Sequence, residues 1–143
     1  MALNSMQEIF EKAASRSIPF WRVVLETDME ERQVTEEQSM EKMRAAWHAM
    51  LESVISYQGD QRSRSGLVGG DGAQMRRYAA ADTTYSGPYV QEVIATALSV
   101  GESNACMRKI VAAPTAGACG VLPAVLVPLY LICLLYTSDA AAD

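Results

Sequence analysis

VAAPTAGACGVLPAVLVPLYLIC, residues 111–133, sets a lone thiol between two glycines and then runs into apolar sequence. Pro114 disfavours helix at Ala113, so residues 111–114 are expected to be extended. From Val121 to Tyr136 every residue is apolar or aromatic. That run is short for a bilayer span and contains Pro123 and Pro128, so a buried core helix fits it better than membrane insertion. Gly117 and Gly120 let the backbone approach a ligand closely. The N–H groups opening the following helix favour an anion in the turn. A thiolate is an anion, so Cys119 is expected to have a lowered pKa. A substrate carboxylate suits the same field. The plainer alternative is a tight turn holding a small buried cysteine. The turn is not a P-loop, because no Lys-Ser/Thr pair follows the glycines.

Upstream, the apolar residues recur with helical spacing. Ser5 and Glu8 form a capping box ahead of a helix reaching about Ser15. Pro19 suits the first turn of a second helix, 19–31. Thr35 and Gln38 form another capping box. Behind it Met40, Met43, Trp47, Met50, Val54 and Tyr57 make an amphipathic stripe that ends near Gly59, and core packing is its simplest meaning. His48 lies off the stripe with no ligand partner one turn away, which argues against a metal role. Residues 58–74, QGDQRSRSGLVGGDGAQ, are expected to be a loop, followed by a short helix over 73–81. Ser86 is expected to cap a helix from Pro88, with Val90, Val93, Ile94, Ala97 and Leu98 on its buried face. Gly101 is expected to kink or end it, and NACMRKI to resume it. No strand-like alternation is convincing, so the fold class is all-α.

The bulk composition narrows the function. The 143 residues are 50 % hydrophobic and 20 % charged, enough for one core and too apolar for disorder. A net charge of −5 argues against a nucleic-acid surface, and no basic block is present to track phosphates or an anionic membrane. Cys106, Cys119 and Cys133 are an odd set without CxxC spacing, unlike a disulfide framework. The N-terminus lacks a secretory h-region. A cytoplasmic location with reduced thiols is expected.

Two further places can bind a polar substrate. In SRSGLVGGDG, residues 63–72, Ser65 and Asp71 are the candidate contacts, and Gly66, Gly69 and Gly70 let the loop fold tightly. A flexible surface linker is the alternative. In ESNACMRK, residues 102–109, Asn104 is the candidate contact, and Cys106 fits a small core residue better than a ligand.

Taken in order, SRSGLVGGDGAQM, SGP and ESNACMRKIVAAPTAGACGVLPAVL resemble the start of the α subunit, or α domain, of bacterial iron–sulfur-dependent L-serine dehydratases (L-serine ammonia-lyases). The phrases SGLxGGD and APTxGACGVxPAVL carry the resemblance, which runs from near residue 1 to about Leu131. It implies that residues 1–131 are the N-terminal part of a helical α domain. LLYTSDAAAD matches nothing in the family, so residues 132–143 are expected to be a non-family tail. The family implies a [4Fe–4S] cluster held by three cysteines and no pyridoxal phosphate. Its open iron would act as a Lewis acid on the β-hydroxyl of L-serine, easing loss of hydroxide and giving pyruvate and ammonia.

Carried over by position, Cys119 is implied as a cluster ligand. Thr115, Gly117 and Gly120 are implied in the same pocket, with Ser65, Gly66, Gly70, Asp71 and Asn104 as substrate-side residues. The family's other cluster cysteines lie in a portion absent here, and Cys106 and Cys133 do not match them. The β subunit that the family pairs with the α chain is also absent, and this chain alone is expected to be inactive because one cysteine cannot hold a cubane cluster. Two readings compete with the enzyme. One is a non-catalytic helical module that assembles with a β subunit through the apolar run. The other is a small membrane-anchored protein.

Overall fold

The computed structural model describes residues 5–81, 85–113 and 115–134, with backbone only for 133 and 134. Every regular element among them is helical. They are α1 (Met6–Arg16), α2 (Phe20–Arg32), α3 (Glu36–Ile55), α4 (Asp71–Ala79), α5 (Pro88–Ala105), a 3₁₀ turn (Ala116–Ala118), α6 (Val121–Pro128) and a π-helical turn (Leu129–Leu134). The chain divides into two compact units, Met1–Ala46 and Trp47–Asp143. The chain from residue 135 on, where most of the expected tail lies, is outside the described residues, as is Pro114.

In the first unit, local chemistry sets the helix ends. Ser5 Oγ accepts the Glu8 N–H at 3.2 Å. Ser17 and Gln33 close α1 and α2 in the left-handed region, φ 51° and 53°. Thr35 and Gln38 bond reciprocally: Gln38 N–H to Thr35 Oγ1 at 3.3 Å, and Thr35 N–H to Gln38 Oε1 at 3.0 Å. The Ser5 and Thr35–Gln38 caps satisfy N–H donors, and the Ser17 and Gln33 N–H groups satisfy carbonyls, that the helices leave orphaned. Ile9, Val23 and Leu25 are buried, and Phe10 stacks on Phe20 at 5.7 Å. Of the expected stripe on α3, Met50 is buried, but Met43 is 67 % exposed. It borders an apolar groove of about 620 Å³ with Phe20, Trp21 and Met40.

In the second unit α4, α5 and α6 pack together, and three expectations fail. First, α4 starts at Asp71, so Asp71 and Gly72 open a helix and do not belong to the loop. Second, Gly87, not Ser86, is the N-cap of α5, and Pro88 fills its first position. The Ser86 carbonyl instead accepts from Gln91 Nε2. Third, α5 runs unbroken through Gly101 and ends at Ala105, so NACMRKI does not resume a helix.

The buried face of α5 is also not the expected one. Gln91, Ala95, Thr96, Ser99, Val100, Glu102 and Ser103 are buried, while Val90, Ile94 and Leu98 are exposed. Periodicity located a stripe, but hydrogen bonding put the opposite stripe inside. The apolar run after Gly120 is likewise half open. Pro123, Ala124, Val127 and Pro128 are buried, and Val121, Leu122, Val125, Leu126 and Leu129 are exposed. Pro128 has no N–H for the helical ladder and its ring crowds the turn before it, so the chain widens into a π turn at Leu129.

Candidate functional site

The two glycine loops are fastened to one place, the last turn of α5. Glu102 is 4 % exposed. Its Oε1 accepts the backbone N–H groups of Asp71 at 2.5 Å and Gly72 at 3.2 Å. Its Oε2 accepts the Tyr57 hydroxyl at 2.5 Å, and that phenol oxygen accepts the Ala73 N–H at 3.2 Å. Three N–H groups that open α4 are thus satisfied by a carboxylate and a phenol from outside the helix. An anion at this end also meets the favourable end of the helix dipole. Burial, and then the Glu102 carboxylate, raise the Tyr57 phenol above its ordinary value. Arg76 lies over the Tyr57 ring at 5.4 Å and donates to Ser99 Oγ at 3.0 Å.

Glycine is required where α4 meets α5. A Cβ on Gly72 would stand 2.5 Å from Ser99 Oγ and 3.0 Å from the Ser99 backbone nitrogen. Next to Glu102, Ser103 Oγ accepts from Gln61 Nε2 at 3.2 Å, which ties down the start of the loop. One residue on, Asn104 Nδ2 donates to the Ala116 carbonyl at 3.2 Å, which ties down the second loop.

The predicted residues divide accordingly. Gly70 is the N-cap of α4 at φ 92°, with Asp71 first in the helix. The Asp71 side chain is exposed with no partner among the described residues. Ser65 and Gly66 are exposed at the loop tip. Ser65 Oγ lies 3.2 Å from Ser63 Oγ and accepts the Leu67 N–H at 3.4 Å, while Gly66 holds φ 75°. Thr115 caps the 3₁₀ turn, its Oγ1 accepting the Ala118 N–H at 3.3 Å. Gly117 is exposed. Gly120 lies against α5, where a Cβ would come within 2.9 Å of the Ala97 carbonyl oxygen. Glu102, Tyr57 and Gly72 were not foreseen as parts of this assembly. Their partners are far apart in sequence, and no local pattern marks them.

Cys119 requires a correction. It sits before α6 as expected, but it is 2 % exposed and its thiol is raised, not lowered. Burial removes the thiolate from water, and this outweighs the backbone N–H groups of Cys119 and Gly120 that favour it. Cys106 is a half-buried free thiol. Among the described residues no three His, Cys, Asp or Glu side chains come together as a metal site. The described residues therefore do not by themselves supply the ligand set of a [4Fe–4S] cluster. No helix among the described residues is long and apolar enough to cross a membrane.

Comparison with known proteins supplies the family. The family model described as "Serine dehydratase alpha chain" matches residues 15–133. The chain belongs to the serine dehydratase alpha chain family. Within it, the chain is 34 % identical over 127 residues to the L-serine dehydratase, alpha chain, of Peptoniphilus asaccharolyticus, covering 87 % of this chain and 43 % of that protein. It is 30 % identical over 123 residues to the probable L-serine dehydratase, alpha chain, of Bacillus subtilis (strain 168), covering 86 % and 41 % respectively. This chain therefore spans less than half the length of those relatives. No solved structure matches it.

Proposed function

We propose that this chain is the loop-bearing part of an α chain that deaminates L-serine to pyruvate and ammonia in the cytoplasm. The supporting observation is the shared anchor: Glu102, Ser103 and Asn104, consecutive on α5, hold both glycine loops. Loops fixed to one rigid helix end can keep a small substrate in a constant orientation, which a mobile linker cannot.

In this reading the exposed Asp71 carboxylate receives the substrate ammonium, and the tight glycine turns let the backbone close around a molecule as small as serine. Asn104 acts indirectly, by setting the position of the Thr115–Gly120 loop. A [4Fe–4S] cluster belongs to the proposal only as a group completed by thiols outside this chain, with Cys119 as one ligand. A β subunit is the proposed partner of the complete enzyme.

The test replaces the matched region of the Peptoniphilus asaccharolyticus α chain with residues 15–133 of this chain and assays pyruvate release from L-serine. Turnover is expected, with loss on Cys119→Ala. Asp71→Asn should raise KM by about tenfold, the equivalent of one charge-assisted hydrogen bond. The 143-residue chain alone, treated anaerobically with iron and sulfide, is expected to release none. Full activity in Cys119→Ala, or turnover by the isolated chain, overturns the proposal.

A further inference from the structure

The open apolar rows on α5 and α6 indicate what the rest of an α chain does here. The two helices lie side by side and antiparallel. Tyr89, near the start of α5, donates its hydroxyl to the Val125 carbonyl at 3.1 Å, and further along α5 the backbone at Ala97 abuts Gly120. On α5, Val90, Ile94 and Leu98 follow one another at four-residue steps, as do Val121, Val125 and Leu129 on α6 and just beyond it. These six side chains are 38–60 % exposed. Residues 121–134 contain no charged residue. A surface this purely aliphatic is typical of a domain interior or a permanent interface, whereas transient docking surfaces include polar and charged groups. The rows lie inside the family-matched region, residues 15–133, and the matched stretch is only 43 % and 41 % of the two relatives. More than half of each relative's length therefore lies outside the matched stretch.

We propose that the aliphatic rows of α5 and α6 are interior surface in a full-length α chain, covered by the portion of that same chain outside the matched region. The inference rests on family membership and not on the proposed reaction, so it can fail or succeed independently of serine turnover. The occupant is apolar helical or extended sequence of the same polypeptide. A β subunit and a second copy of this chain are the alternatives that the experiment separates.

The experiment places one cysteine at Leu98 or Val125 (Leu98→Cys, Val125→Cys) with Cys106 and Cys133 changed to serine. Maleimide labelling is then compared between the 143-residue chain and the Peptoniphilus chimera, with Met43→Cys as an exposed control. Labelling at both positions is expected to be fast in the short chain and slower by about an order of magnitude in the chimera, with no second protein added. Equal rates in the two proteins overturn the proposal. So does protection that appears only when a β subunit is added. Concentration-dependent protection in the short chain also overturns it, since a second copy would then be the occupant. If a cysteine variant does not fold, amide exchange over residues 90–98 and 121–129 in the unsubstituted proteins gives the same readout: protection gained in the chimera supports the proposal, and unchanged exchange overturns it.

Discussion

In α2, Arg22 bonds Glu26 one turn on in a half-buried pair and reaches Glu36 at 2.9 Å at the surface. In α5, the charged residue Glu102 is turned inward and holds the start of another helix. The first arrangement leaves water to share the load; the second depends on each bond being made. Exposed ion pairs add little, because solvent screens them and ordering long side chains costs entropy. A buried carboxylate with three donors is different, since removing it leaves donors that are buried or half-buried without their partner.

Three measurements would break or sharpen this contrast. The largest effect is expected from Glu102→Ala, which orphans the N–H groups of Asp71 and Gly72 and the Tyr57 hydroxyl. A loss of about 3 kcal/mol is expected from the urea midpoint. Faster amide exchange at residues 71–73 should accompany it, and Glu102→Gln should recover part of the loss. A shift no larger than that of a surface variant would remove the distinction between the two helices. Next comes Gly72→Ala, whose Cβ would press on Ser99. A cost of about 1–3 kcal/mol is expected, partly relieved in the double variant with Ser99→Gly, so that the two effects are not additive. The smallest shift is expected from Arg22→Ala, with a urea midpoint close to that of the parent.

Acid sharpens the last case. The Arg16 hydrogen bond foremost holds the Glu26 carboxyl below its ordinary value, and the Ser39 hydrogen bond does the same for Asp28. A group lowered in the folded state binds its proton more readily when unfolded. The stability it contributes is therefore present above the unfolded pKa and is lost as pH falls through the folded one. Arg22→Ala should flatten that acid slope slightly, because Arg22 also bonds Glu26.

How much was legible in the sequence follows the same division. The capping boxes at Ser5 and Thr35 depend on residues three apart, so both could be placed in advance. The all-helical class followed from apolar spacing, and the motifs SGLVGGDG and PTAGACG pointed to the loops that α5 fastens. What failed was the choice of inner face. Periodicity assumes that the apolar side is buried, and α5 buries Gln91, Ser99, Glu102 and Ser103 because each has a bonding partner inside. Glu102 and Tyr57 are 45 residues apart, beyond any local signal. The thiol of Cys119 was misjudged because the sequence shows the helix start but not the depth of burial.

Pro128 alters how the sequence after it should be interpreted. A π turn carries an extra residue relative to the α-helical spiral, so the backbone drifts progressively across Leu129–Leu134 from a regular α count, by up to about 100°. Any alignment of helix faces across residue 128 must include that phase slip. Deleting a single residue between 129 and 134 would act less like damage than like a correction of pitch, returning that turn to the α-helical count.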